Sequence, residues 1–171
     1  MVLNQQNKVA VSLATVRAFV QRLRAALRLG RREFNICFVD DREIERLNAA
    51  FLGRRRPTDV LSFPWQEARA RERTTGVSNA EFANFLGDVV ISAETARRNA
   101  RREGHSTRNE ICWLILHGLL HLLGYDHERD RGEMTSLELS LRERLGVAGQ
   151  HKVQRRRARL ARQKDRACRP Q

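Results

Sequence analysis

The stretch Leu116-His117-Gly118-Leu119-Leu120-His121-Leu122-Leu123-Gly124-Tyr125-Asp126-His127 decides how this chain is read. Three of the chain's five histidines fall between His117 and His127. On a helix, His117 and His121 differ by about 40° in angle and about 6 Å in height, so both imidazoles leave one face. Gly124 suits a helix stop, because it enters the left-handed conformation without a Cβ clash. The chain can then turn back and bring in His127 as a third ligand. Three neutral imidazoles leave a fourth tetrahedral position open, the arrangement of a catalytic zinc rather than a structural one. A single histidine in an apolar helix is ordinarily a satisfied core residue. Three at this spacing, among Leu, Ile and Gly, point instead to one Zn2+ per chain held by His117, His121 and His127.

The spacing His-x3-His-x2-Gly-x2-His resembles the extended zincin motif. Zincin proteases carry Glu after the first histidine as general base, and here that position is Gly118. The longer pattern His117-Gly118-x-Leu120-His121-Leu122-x-Gly124-Tyr125-Asp126-His127 resembles the signature of the YbeY family, bacterial single-domain zinc proteins implicated as endoribonucleases in ribosomal RNA maturation. Further matching segments follow the family's order: Leu47-Asn48, Pro57-Thr58-Asp59-Val60-Leu61-Ser62-Phe63-Pro64, Leu86-Gly87-Asp88-Val89-Val90-Ile91-Ser92 and Gly104-His105-Ser106. The resemblance covers residues 33–145. It implies a single-strand-preferring, zinc-dependent endoribonuclease. The implied task is 3′ end maturation of small-subunit (16S) ribosomal RNA and ribosome quality control. The implied partners are that RNA, the small subunit, and ribosomal or assembly-factor proteins.

One segment departs from the family. YbeY proteins carry an arginine important for activity in an Asn-x-x-Tyr-Arg-x-x-Asp pattern. Here Asn48 matches, Phe51 replaces the tyrosine, Leu52 holds the arginine position and Arg55 the aspartate position. Arg54, Arg55 and Arg56 are the candidates for phosphate contact, with Arg54 close enough in sequence to replace the missing guanidinium.

Composition bounds the rest. A length of 171 residues with 41% hydrophobic content suits one domain with its own core. The domain is placed at residues 1–150, with a basic, disordered tail at 151–171. No apolar run approaches the ~20 residues of a membrane helix, and Met1 to Lys8 lacks the apolar stretch of a signal peptide. The expected location is cytoplasmic, with no membrane partner. Cys37, Cys112 and Cys168 form no Cys-x-x-Cys; the first two read as small core residues. Net charge is +13, and Lys152 to Gln171 holds nine basic residues against Asp165 alone, which is +8 of the total. Arginine outnumbering lysine can follow from a GC-rich genome, but clustering at one end does not. The tail is therefore assigned to RNA phosphates, through counterion release.

Apolar periodicity and caps give the order of elements. A helix capped by Ser12 or Thr15 ends at Gly30. A strand spans Glu33 to Val39, and a short helix follows Asp40 or Asp41. Gly53 to Pro57 turns, and Val60 to Phe63 is a strand. Trp65 to Ala83 has no period and reads as a mobile loop or insertion. A buried strand spans Gly87 to Ser92, and Ser92 caps a helix broken at Gly104. Ser106 caps the helix that carries the first two histidines, and a last helix spans Glu128 to Arg144. This predicts an α+β fold, a small mixed sheet packed with helices, zincin-like, with the metal site on a central helix.

Three functions remain open on the residues: the endoribonuclease, a non-catalytic zinc-containing ribosome-assembly factor, and a metalloprotease, which Gly118 and the charge oppose. The general base is unassigned. Asp126, between ligands, is a candidate either as base or as the carboxylate that orients a histidine ring by a hydrogen bond. Asp59, Ser62 and Asp88 have weaker claims. Asp88 is expected to cap backbone donors, Met134 to be a core residue rather than a floor to the metal, and His105 and His151 to lie off the metal.

Overall fold

The computed structural model describes residues 1–65, 83–126 and 130–147. Among these the chain forms four strands and five helices: β1 (Val2–Asn4), α1 (Leu13–Ala26), β2 (Glu33–Val39), α2 (Asp41–Leu52), β3 (Val60–Pro64), β4 (Phe85–Ser92), α3 (Ala93–Glu103), α4 (Thr107–Leu122) and α5 (Glu133–Leu145). The fold is α+β, with a mixed sheet of order β1-β2-β4-β3. β1 and β4 run parallel to β2, and β3 pairs antiparallel to β4 with Val60 opposite Ile91 and Pro64 opposite Gly87.

Strand alternation sorts the core into two layers. Phe34, Ile36 and Phe38 of β2 and Val89 and Ile91 of β4 face a large core with α1, α4 and α5. Val39 and Val90 point the other way, into a smaller cluster with Ile44 of α2 and Leu61 of β3. The helix starts follow the expected chemistry: the side chains of Ser12, Asp40, Ser92 and Ser106 each accept a hydrogen bond from the backbone N–H three residues on.

Four expectations are corrected. β1 precedes the first helix. α1 ends at Ala26 rather than Gly30, because Leu27 closes it and the chain then turns through Arg28 at φ 50°. The last helix begins at Glu133, behind Gly132 at φ 97°, not at Glu128. Asp88 does not cap backbone: its carboxylate accepts from the Asn35 side-chain amide at 2.9 Å, across the β2–β4 pair. Residues 66–82, which hold most of the expected loop, and the tail from residue 148 lie outside the described residues. No helix among the described residues is long and apolar enough to cross a membrane.

β3 lies at one end of the sheet order, and α4 packs against it and β4. At Gly87, φ is 136° and an added Cβ would stand 2.1 Å from the Phe63 carbonyl oxygen, so only glycine lets β4 meet β3 there. The cleft described next opens along this β3–α4 seam.

Candidate functional site

α4 is apolar nearly all round. Leu114, Ile115, Leu116, Leu119 and Leu120 are fully buried, whereas His117 and His121 are only half-buried. The four-residue spacing does what helix geometry requires: the two Nε2 atoms converge to 3.2 Å, with the rings edge to face. Two nitrogens bound to one tetrahedral ion at ~2.05 Å stand about 3.3 Å apart. The pair thus already has the separation of two zinc ligands. Among the described residues no group of three His, Cys, Asp or Glu is gathered for a metal. His127 lies outside those residues, as does His151.

The other nitrogen of His117 is also engaged. Its Nδ1 stands 3.1 Å from Oε2 of Glu138 on α5, and Oε1 of Glu138 accepts a hydrogen bond from the Trp113 indole N–H. A carboxylate only accepts, so Nδ1 carries the proton and Nε2 presents its lone pair to the cleft. Metal-bound histidines are oriented in this way. Glu138 is 8% exposed, and Arg142, one turn on, is 6% exposed. Burial pushes the Arg142 guanidinium down, while Glu138 and Glu110 pull it back up. Sequence reasoning missed Glu138. Its signal was there: Met134, Glu138, Leu141, Arg142 and Leu145 share the buried rhythm of α5, and two of the five are charged.

Gly118 points away from the histidines and against the sheet. A Cβ there would lie 2.6 Å from Val89 Cγ1 and 3.1 Å from Ser62 Oγ. Ser62 donates to the Gly118 carbonyl at 3.1 Å. A glutamate at this position would have to displace Val89, so the zincin protease base does not fit this packing.

The two histidines open into a cleft of about 630 Å³. Leu61, Ser62 and Pro64 of β3 form one wall, Tyr125, Asp126, Asp130 and Glu133 the other, and Leu52 reaches it from the end of α2. Arg54, Arg55 and Arg56 are exposed on the loop beyond Leu52 and do not line the cleft. That loop is pinned by Asn48, whose amide donates to the Arg56 carbonyl at 2.8 Å. Asp126 is half-buried on the cleft wall. Asp130 is committed to the backbone, its two oxygens accepting from the N–H groups of Gly132 and Met134 at 2.8 and 2.7 Å. Glu133 is exposed in the first turn of α5; neither of these last two carboxylates was singled out from the sequence. Met134 is 1% exposed and belongs to the core.

Several other candidates prove to be part of the scaffold. Asp59 accepts from the backbone N–H of Val60 and from the Asn99 amide at 3.0 Å, tying β3 to α3. His105 pairs with Glu110 at 3.1 Å, and burial raises the Glu110 carboxyl while His105 lowers it. Cys112 is buried and its thiol is pushed up to about 11 by burial, so it is inert as a ligand. Cys37 is half-buried in β2.

Comparison with known proteins gives one family. The model of the family "Endoribonuclease YbeY" matches residues 1–146. The chain is 41% identical over 133 residues to the endoribonuclease YbeY of Syntrophus aciditrophicus, covering 78% of each. It is 36% identical to that of Syntrophomonas wolfei over 157 residues, covering 90% of this chain and 96% of the relative. The solution structure of TM1509 from Thermotoga maritima superposes with a TM-score of 0.56 at 25% identity, covering 85% of this chain and 89% of that one.

Proposed function

The chain belongs to the endoribonuclease YbeY family, and from that premise we propose that it is a zinc-dependent hydrolase of single-stranded RNA, working in the cleft between β3 and α4. The observation that carries this reading is the 3.2 Å approach of the His117 and His121 Nε2 atoms, with His117 oriented from behind by Glu138. His127 is the third ligand on this reading, and the fold is zincin-like. When bound, zinc supplies Lewis acidity, which lowers the pKa of water and polarises a phosphoryl oxygen.

The chain's own residues do the rest. Glu138 keeps the proton on His117 Nδ1 and so keeps Nε2 available. Asp126 and Glu133 are the carboxylates assigned to accept or orient the proton of the attacking water, since Asp130 is spent on the backbone. Arg54, Arg55 and Arg56 hold backbone phosphates at the cleft's edge, which positions a strand without reading its bases. Small-subunit ribosomal RNA, in the cytoplasm, is the proposed target, with the basic tail adding affinity.

The test is metal content of the purified protein alongside cleavage of single-stranded RNA and of casein, with and without chelator. One zinc per chain and chelator-sensitive cleavage of RNA alone are expected. His121→Ala should lose the metal; full occupancy in that variant refutes the assignment.

Leu52 favours a second reading. It is 57% exposed and lines the cleft where the family carries its arginine. If Arg54 supplies the missing contact, Arg54→Ala lowers the cleavage rate about tenfold or more and Leu52→Arg changes little. If Arg54→Ala is silent and Leu52→Arg raises cleavage strongly, the chain is chiefly an assembly factor that docks on RNA.

A further inference from the structure

The cleft continues past the histidines. A second hollow of about 420 Å³ adjoins it, and Pro64, His121 and Gly124 line both. His121 therefore stands at the junction of two chambers. Each lies in the volume range of about 300–1,000 Å³ that accommodates a small organic group.

Their chemistry differs. Beside the histidines, the charged side chains among the described residues lining the first chamber are Asp126, Asp130 and Glu133, all carboxylates. Among the described residues lining the second there is no carboxylate, and its charge beside His121 is Arg32. Arg32 is exposed just before β2, on a backbone held by the Arg24 guanidinium, which donates to the Arg32 carbonyl at 2.7 Å. The rest of the wall is mostly apolar, with Phe85, Leu86 and Leu123, and carries one neutral polar residue, Asn84. The Phe85 ring is set edge to face against Trp65, with centroids 5.9 Å apart.

A phosphodiester inside a strand has a nucleotide on either side, and both need room when the bond lies at the histidines. We propose that the second chamber is a nucleotide subsite of the bound RNA, in which Arg32 pairs with the phosphate next to the scissile one and the Phe85 wall receives the base. This rests on the endoribonuclease reading. A guanidinium suits phosphate through its forked donors, and an aromatic wall accepts any base, since every base has a π face. Arg32 adds a cationic hold in the second chamber to the one proposed for Arg54, Arg55 and Arg56 at the edge of the first.

The test uses the zinc-loaded full chain and a single-stranded RNA of about ten nucleotides, within the span of ordinary single-strand sites. KM, kcat and the salt dependence of binding are compared for the wild type, Arg32→Ala, Phe85→Leu and Arg17→Ala, an exposed arginine of α1. Arg32→Ala should raise KM roughly five- to tenfold, more than it changes kcat. Its log–log salt slope should fall by about 0.7, one phosphate on a single strand. Phe85→Leu should raise KM without changing that slope, and Arg17→Ala should change neither. Equal effects of Arg32→Ala and Arg17→Ala would reduce Arg32 to general charge and overturn the subsite. So would an unchanged KM and slope in Arg32→Ala while the wild type still cleaves, an outcome that leaves the endoribonuclease reading standing. A wild type without metal-dependent cleavage removes both.

Discussion

A buried carboxylate needs donors to offset its desolvation, and Glu138 takes two from α4, the Trp113 indole and the His117 ring. Glu138→Gln keeps the size and one acceptor oxygen but loses the charge and the control over the His117 tautomer. Zinc affinity should fall about 10–100-fold, read by competition with a chromogenic chelator, with the fold retained. Gly118 makes the complementary point about space. Gly118→Ala drives a methyl to 2.6 Å from Val89, a side chain locked in the sheet. Urea unfolding should show a loss of about 1–3 kcal/mol from this overpacking, with helix content kept. The histidines were legible because i, i+4 spacing on a helix has one geometric outcome. Glu138 was not, because a glutamate between Leu137 and Leu139 reads as solvated until tertiary packing turns it inward. The same holds for the role of Gly118, which as a missing base is visible in the sequence but as a point of contact with Val89 is not.

At the level of elements, Asp41 ties the start of α2 to α3. Its Oδ1 accepts from Ser92 and Thr95 at 2.5 and 2.7 Å and its Oδ2 from Arg98 at 2.5 Å. Burial pushes this carboxyl up, but the hydrogen bonds from Arg98, Ser92 and Thr95 outweigh it and hold the group below its ordinary value of 3.8. A carboxyl depressed in the folded state contributes stability above its unfolded pKa and loses it as pH falls through the folded one. Asp41→Asn should therefore cost about 2 kcal/mol at neutral pH, and its deficit against the wild type should shrink below about pH 4, measured by urea unfolding at both ends. Element starts were legible here because a short polar side chain before an apolar rhythm has a fixed backbone target; Ser12, Asp40, Ser92 and Ser106 all find it. β1 was not, since Val2–Asn4 is too short to show a period and exists through pairing with Ile36, Cys37 and Phe38. The start of the last helix moved to Glu133 because Asp130 gathers the N–H groups of Gly132 and Met134 ahead of it.

Across the whole molecule, charge is distributed unevenly. Of the net +13, +8 belongs to Lys152–Gln171, whereas the first chamber of the cleft carries carboxylates. The proposed division of labour is that the tail arginines gather RNA and the cleft performs the chemistry. Truncation after Gln150 should then weaken RNA binding and flatten its salt dependence, because fewer counterions are released, while turnover at saturating RNA changes little. Filter binding at several salt concentrations reads the first effect and single-turnover cleavage the second. An unchanged salt slope would mean that the tail does not touch RNA.

The indole that donates to Glu138 has its ring 5.1 Å from the His117 ring, and it is one of only two tryptophans in the chain. Trp65→Phe leaves Trp113 as the sole tryptophan, excited selectively over Tyr125 at the red edge of the absorption band. Its fluorescence then senses the electronic state of the imidazole beside it. If zinc binds at His117 as proposed, its capture and release become observable in real time, by stopped flow and without any attached dye. On the proposed reading, the protein carries its own optical gauge of zinc occupancy, one ring away from the histidine that would hold the ion.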